Sequence, residues 1–372
     1  MPQERSASIA LGKFTLGAGH PCVIVAEGCD NHMGSLARAK EMAHAAKESG
    51  ADIIKWQLHL PEEEMCKKEI EETSGQMLAK WGSLWGFVER FLFPVEAHKE
   101  LKDYCEKIGI QYFCTPFSLK AAQILNEMGV AGFKIGSGET EDLPMIEEVA
   151  KMGKPMIVST GMTELNEIDL TVNAVRAQGT PLALAHCMSI YAGHPVNRLQ
   201  MGVISLLRER YGVPVGLSDH TPPEGVRESD TRKASQEAIM WAALAQGACF
   251  IEKHFTLDRK QDDADSCFSL DPKSLRELRD VVRTAEAALG RERRVFDEEK
   301  PVWIWAKRSV VAATDIPAGT PITREMITSK RPGIGIRSKY YHDIIGKRIR
   351  RDIPKGAMLH WDDIEGVNRR ES

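Results

Sequence analysis

From residue 21 to residue 289, short apolar runs alternate with longer amphipathic segments without a break. The runs are PCVIVAEG (21–28), DIIKWQ (52–57), IQYFCTPF (110–117) and GFKIGSGE (132–139), followed by PMIVSTG (155–161), LALAHC (182–187), VPVGLSD (213–219) and ACFIEKHF (248–255). Each is short, apolar and bounded by Gly, Pro or a polar residue, the signature of a strand buried on both faces of a parallel sheet. The segments between them carry helical spacing. In 35–49 the apolar positions are Leu36, Ala39, Met42, Ala43 and Ala46, and Gly50 follows as a terminating glycine. Further helices are predicted over 94–107, 119–128, 144–152, 164–178, 199–209, 235–246 and 274–289. Strict alternation means a parallel sheet with crossover helices. Eight units in this length predict an α/β fold, a closed (β/α)8 TIM barrel over residues 1–290.

One stretch interrupts the rhythm. Residues 58–93 read as a long irregular excursion, with a solvated charge run EEEMCKKEIEE and a cluster of aromatics. An excursion of this kind after a barrel strand is an active-site wall or lid. The pattern changes again after residue 290. Residues 291–306 read as a charged linker, and 307–372 as a small β-rich domain in which DIPAGTPIT resembles DIPKGAMLH, as two similar turns would. A domain of this size is near the lower limit for folding alone, so it is expected to lean on another surface.

Composition excludes several classes. The net charge of −4 gives no basic face for nucleic acid or an anionic membrane. No apolar run approaches the ~18 residues of a membrane span, and the N-terminus lacks a basic segment followed by an apolar core. The eight cysteines form no CxxC and no dense framework, which predicts reduced thiols and a cytoplasmic location.

The chemistry is expected at the C-terminal ends of the strands, where α/β barrels place it. The seventh and eighth runs end in Asp219-His220 and Lys253-His254. If these strands are neighbours, the two imidazoles can converge on one divalent metal, with the carboxylate Glu252 nearby, and two imidazoles alone do not choose the metal; the other reading is two unrelated polar residues at strand ends. Lys55 and Lys134 lie inside apolar runs, where a lysine is costly to bury without an anion. With nearby hydroxyls and Gly136, Gly138 and Gly161 they form a phosphate and carboxylate cradle. Two other readings stand beside this one: a structural ion pair with a neighbouring Glu, and a Schiff-base lysine.

The series AEGCDNHMG, DIIKWQ, FCTPF, KIGSGE, STGM, HCMSIY, GLSDHT and EKHFTLD, with KRPGIGI near the end, resembles the sialic acid synthase family and its C-terminal antifreeze-like domain. The match runs in order from about residue 20 to 365. The resemblance implies condensation of phosphoenolpyruvate with an acylated amino sugar, to give a nine-carbon 2-keto acid and phosphate. It implies that His220 and His254 hold Mn²⁺, with Mg²⁺ or Co²⁺ as alternatives. Lys55, Thr115, Lys134 and Ser137, together with Ser159, Ser189 and Ser218, would hold phosphoenolpyruvate, with Gln57 between that ligand and the metal. Glu27, Tyr191 and Asp265 would face the sugar. Glu27 would also handle protons, with Glu252 as a rival. Arg331 would reach the sugar in the partner's barrel, making a homodimer with swapped C-terminal domains.

The chain departs from the family pattern at Asp30, Met33, Ser189, the Tyr191-AGH-Pro195 segment, the inserted PPEGVRESDTRK and the QDDADSC segment. Most of these lie on the sugar side. They leave the acceptor open between N-acetylmannosamine and a 2,4-diacetamido-6-deoxyhexose. A Schiff-base aldolase or lyase on the same barrel, and a non-catalytic sugar-binding protein, are the readings from other classes.

Overall fold

The computed structural model describes residues 8–74, 82–191, 195–229, 231–261, 265–290 and 292–367. Parts of the sequence features named above (residues 1–7, 75–81, 192–194, 230, 262–264, 291 and 368–372) lie outside the described residues. The chain divides into two units, 1–290 and 291–372.

The first unit is built on eight parallel strands: β1 (Val23–Glu27), β2 (Ile53–Leu58), β3 (Gln111–Pro116), β4 (Phe133–Ile135), β5 (Met156–Ser159), β6 (Leu182–Cys187), β7 (Val215–Asp219) and β8 (Phe250–His254). Ladder pairing runs β3-β2-β1-β8-β7-β6-β5-β4. β3 also lies beside β4, which brings the ring round. The fold is thus the TIM-type barrel that the alternation predicts. The fourth run is shorter than the sequence indicates, because Gly136 and Gly138 take it out of the ladder after Ile135.

Helices follow each strand, and their ends explain their positions. Ser35, Ser118, Asp142, Ser235 and Asp271 cap N-termini with side-chain oxygens accepting from the third helical N–H. Gly109 and Gly212 end two helices in the left-handed conformation. Among the described residues, no helix is long and apolar enough to cross a membrane.

The barrel interior changes character along the strands. Side chains two apart share a face, so Val23, Val25 and Glu27 point one way on β1. The same order recurs as Ile53-Lys55-Gln57, Phe113-Thr115, Ile157-Ser159, Ala185-Cys187 and Phe250-Glu252-His254. The apolar members form one cluster at the N-terminal end of the barrel. A hairpin, Ile9–Leu11 paired with Phe14–Leu16, plugs that end with the buried Leu11 and Leu16. The polar members are left to the other end.

Two expectations need correction. The described part of 58–93 is not irregular: it holds short helices at Pro61–Glu64, Lys67–Ser74 and Leu84–Phe91. Ser83 caps the last of these, and its buried Trp85, Val88 and Phe91 recur every three residues, so one side packs inward. The segment read as a linker likewise contains a helix, Lys300–Ala306, with no buried residue.

The second unit pairs Ser309–Ala312 with Ile327–Lys330 in antiparallel register around a core of isoleucines, among them Ile316, Ile322, Ile336 and Ile353. Its two similar phrases bond each other reciprocally. Ile316 and Ile353 exchange N–H to O bonds of 2.8 and 2.9 Å. Asp315 accepts from the Lys355 N–H at 2.7 Å, and Asp352 accepts from the Ala318 N–H at 2.8 Å.

Candidate active site

The register sets the site. Parallel pairing places Glu27 between Lys55 and His254, and Glu252 beside Ser218. These side chains are buried at the C-terminal end of the barrel.

A four-membered charge cluster occupies the centre. Lys134 Nζ donates to both Glu252 oxygens, at 2.8 and 3.1 Å. Ser218 Oγ donates to Glu252 Oε1 at 2.9 Å, and Lys55 Nζ stands 3.7 Å from the same oxygen. Lys55 also lies against Glu27 Oε2 and donates to Thr115 Oγ1 at 3.1 Å. Burial alone would raise the Glu252 carboxyl; Lys134 and Lys55 overcome it and bring it down to about 2. Burial would lower the Lys55 ammonium, and Glu252 and Glu27 instead raise it above its usual value. The ion pairs weighed against the cradle reading are therefore present. A lysine held charged in this way is a poor Schiff-base nucleophile, which needs a lowered pKa.

Beside this cluster lies a corner of hydroxyls. Gly161 N–H donates to Ser137 Oγ at 3.2 Å, and a Cβ at Gly161 would overlap the hydroxyls of both Ser137 and Ser189. Ser159 is buried on the adjoining strand, and its carbonyl accepts from Thr140 Oγ1 at 2.6 Å.

The two histidines emerge from neighbouring strands with ring centroids 5.1 Å apart. Phe268 covers both, at 5.8 Å from His220 and 4.9 Å from His254, and Tyr191 meets the His220 ring edge-on at 4.8 Å. His220 Nδ1 meets the Met188 carbonyl at 3.0 Å, which fixes its proton there and leaves Nε2 with a lone pair. Among the described residues, His254 Nδ1 is buried without a hydrogen-bond partner, although Asp265 Oδ2 is 3.3 Å away. Two lone-pair nitrogens, one of them orphaned in a buried site, fit a divalent ion.

Gln57 links Glu27 to a group that the sequence reading missed. Its Nε2 donates to Glu27 Oε1 at 3.4 Å. Its Oε1 meets His59 Nε2 at 3.1 Å, and His59 Nδ1 meets Glu64 at 3.0 and 3.1 Å. His59 stacks on Phe117 at 4.3 Å. Burial would lower its pKa, but Glu64 and Asp30 leave it raised. Burial brings Asp30 up to about 6 and Glu139 up to about 7. The signal for His59 was the period of two that already selects Lys55 and Gln57. Cys29 is the other residue missed, buried with φ 45° beside His254 and Asp265.

Most of the residues selected from sequence therefore converge. Tyr191 stands half-exposed at the rim. Arg331 belongs to the second unit, where its guanidinium lies 5.8 Å from the Trp305 ring centroid.

A barrel with buried lysines, carboxylates and paired histidines at its C-terminal mouth, followed by a small β unit, defines a class that other proteins share. The NeuB family model matches residues 42–294 and the SAF domain model matches residues 307–365. The chain belongs to the NeuB family. It is 31% identical to the N,N'-diacetyllegionaminic acid synthase of Legionella pneumophila, over 94% of this chain and 96% of that one. It is 34% identical to the N-acetylneuraminate-9-phosphate synthase of Mus musculus, over 85% of this chain and 84% of that one. Among solved structures, the N-acetylneuraminic acid synthetase of Leptospira borgpetersenii in complex with citrate superposes with a TM-score of 0.66 at 26% identity, covering 80% of this chain and 95% of that one.

Proposed function

We propose that this chain is a nonulosonic acid synthase. It condenses phosphoenolpyruvate with an N-acylated amino sugar to give a nine-carbon 2-keto acid and phosphate. The observation that carries the reading is the pairing of two anion-binding elements in one barrel mouth: the buried Lys55–Glu252–Lys134 bridge and the hydroxyl corner at Gly161. Phosphoenolpyruvate is a small trianion, and its phosphate and carboxylate need two such elements. Lys55, Lys134 and Thr115, with Ser218 beside them, serve one of its anionic groups. Ser137, Ser159 and Ser189 hydroxyls serve the other. Gln57 sits between this ligand and the histidines.

His220 and His254 would hold the divalent ion, which we read as Mn²⁺, with Mg²⁺ or Co²⁺ as substitutes. When bound, the ion would supply Lewis-acid polarisation of the acceptor's aldehyde. Carbon 3 of phosphoenolpyruvate bonds to the aldehyde carbon. Water adds its oxygen at carbon 2, and phosphate leaves with the bridging oxygen by C–O cleavage. Glu252 is committed to Lys134 and Ser218 and held ionised, so it acts as a fixed counter-ion. Glu27 is the candidate proton carrier: Lys55 lies against its Oε2, and among the described residues its Oε1 accepts from the Cys29 N–H at 2.9 Å and from Gln57 at the longer 3.4 Å. Tyr191 and Asp265, with Glu27, face the acceptor.

The legionaminic and N-acetylneuraminate-9-phosphate relatives keep both acceptors in view, a 2,4-diacetamido-6-deoxyhexose and N-acetylmannosamine, and the panel below decides between them. We further read the enzyme as a cytoplasmic homodimer that exchanges its second units, so that Arg331 serves the partner's acceptor.

The test is phosphate release from phosphoenolpyruvate with Mn²⁺ and a panel of acylamino sugars. Release with one acceptor, abolished by chelation and by His220→Ala or His254→Ala, supports the synthase and names its substrate. Trapping of a keto acid on Lys134 or Lys55 by borohydride, without metal dependence, would replace it with a Schiff-base lyase.

A further inference from the structure

Two strand-end histidines leave a divalent ion short of protein ligands, and the structure places two more donors beside one of them, His254. Cys29 stands two residues past the end of β1, in the left-handed region with φ 45°, a conformation rare for a residue with a side chain. Its N–H donates to Glu27 Oε1 at 2.9 Å, which pins the turn. One donor atom each from Cys29, His254 and Asp265 lies within 4.8 Å of the others. His254 is more than nine-tenths buried, and among the described residues its Nδ1 has no hydrogen-bond partner. Asp265 approaches that nitrogen at 3.3 Å without the geometry of a hydrogen bond. A proton shared between them would align N–H with an oxygen; a lone pair and a carboxylate facing a common ion need not.

The segments carrying these donors are tied together from behind. The buried Asn31 accepts the Asp265 N–H at 3.0 Å through Oδ1. Its Nδ2 donates to the Phe255 carbonyl at 3.0 Å and to Ser269 Oγ at 3.2 Å. Ser269 in turn donates to the Asp265 carbonyl at 2.7 Å. One amide thus joins the turn after β1, the end of β8 and the Asp265 loop. Supporting bonds of this kind fix the orientation of metal ligands.

We propose that Cys29 and Asp265 join His254 around the divalent ion, so that the metal of this enzyme is thiolate-ligated. The inference deepens the synthase reading and rests on it for the presence of the ion. On binding, the Cys29 Sγ–H proton passes to solvent and the sulfur bonds the metal. Asp265 turns one carboxylate oxygen to the ion and keeps the other for the acceptor. A soft sulfur among nitrogen and oxygen donors favours Zn²⁺, Co²⁺ or Fe²⁺, so this inference replaces the Mn²⁺ read above from the two histidines alone.

The experiment uses the full-length chain, stripped of metal and titrated with Co²⁺ in the absence of substrates. The expected result is a near-ultraviolet sulfur-to-cobalt charge-transfer band that saturates with one equivalent. Cys29→Ser should abolish the band and weaken Co²⁺ binding about 10-fold or more, and Asp265→Asn should weaken binding by a similar factor. Circular dichroism of each variant establishes that it is folded. The band should survive in Cys187→Ser, whose sulfur lies 3.9 Å from His220 Nδ1, and in the Cys66→Ser/Cys267→Ser double variant, which removes the exposed thiols. Visible d–d bands without charge transfer, a band that persists in Cys29→Ser, or no saturable binding would each overturn the proposal. Phosphate release measured on the same preparations separates the two readings. Release without a charge-transfer band leaves the synthase standing and removes the thiolate. A Cys29-dependent band without release from any acceptor does the reverse.

Discussion

Glu252 is the hub of the buried charge cluster, and its replacement by glutamine gives a quantitative test. The amide keeps the size of the side chain and the Ser218 contact but removes the negative charge between Lys134 and Lys55. In the folded barrel the carboxyl is brought down from 4.5 to about 2. At about 1.4 kcal/mol per pKa unit, that difference corresponds to about 3 kcal/mol of stability. An independent route gives the same range, since removing one partner of a buried ion pair costs about 3–5 kcal/mol. The sign follows from the direction of the shift. A depressed carboxyl stabilises the fold fully above its unfolded value of 4.5, and that contribution is lost as pH falls towards 2. Glu252→Gln should therefore unfold about 3 kcal/mol more easily in urea at pH 7, followed by far-ultraviolet ellipticity, which the helix-rich barrel dominates. The gap to wild type should stay constant down to about pH 5 and narrow below it. Adding Lys134→Met, which removes the orphaned charge, should restore part of the loss. A difference under about 0.5 kcal/mol at pH 7, the size of an ordinary surface substitution, would refute the reasoning. So would a gap that does not change between pH 5 and the onset of acid unfolding.

Gly161→Ala places a methyl against the Ser137 and Ser189 hydroxyls; the KM for phosphoenolpyruvate in phosphate release should rise about 10-fold or more, a loss of about 1.4 kcal/mol, while kcat changes less. His59→Phe keeps an aromatic ring over Phe117 but removes both bonds to Gln57 and Glu64. It should lower kcat about 10-fold with little effect on that KM, as expected of an outer partner that orients a contacting side chain. Lys253→Met leaves the buried Asp219 carboxylate unpaired and should destabilise the barrel by about 3–5 kcal/mol in denaturant unfolding.

The barrel was legible because its strands are buried on both faces, so each appears in the sequence as an apolar run. The polar residues breaking those runs, Lys55, Lys134, His220 and His254, were legible for the same reason: a buried strand tolerates such groups only where they have partners. The hairpin Ile9–Leu16 escaped because three-residue strands around Gly12 carry too little pattern to register. The helix Leu84–Phe91 escaped because the charge run before it masks the spacing of Trp85, Val88 and Phe91. Cys29 escaped because its role comes from a backbone conformation and from contacts with residues more than two hundred positions away. Phe268 sits in a loop, where no period selects it.

The two histidine motifs show why strand alternation carries more than fold class. In SDH and EKH the first and third residues face the barrel interior and the middle one faces away. The inward residues are Ser218, His220, Glu252 and His254, and all of them belong to the site. The outward pair is Asp219 and Lys253, which meet at 2.8 Å and stand opposite each other in the β7–β8 register. Thr221 completes the pair. It donates to Asp219 Oδ1 through its N–H at 3.0 Å and to Oδ2 through its hydroxyl at 2.7 Å, and its carbonyl accepts from Lys253. A slip of one residue by either strand would separate this buried pair and turn that strand's histidine out of the barrel. The ion pair on the back of the sheet thus specifies the register that brings the two imidazoles side by side on its front.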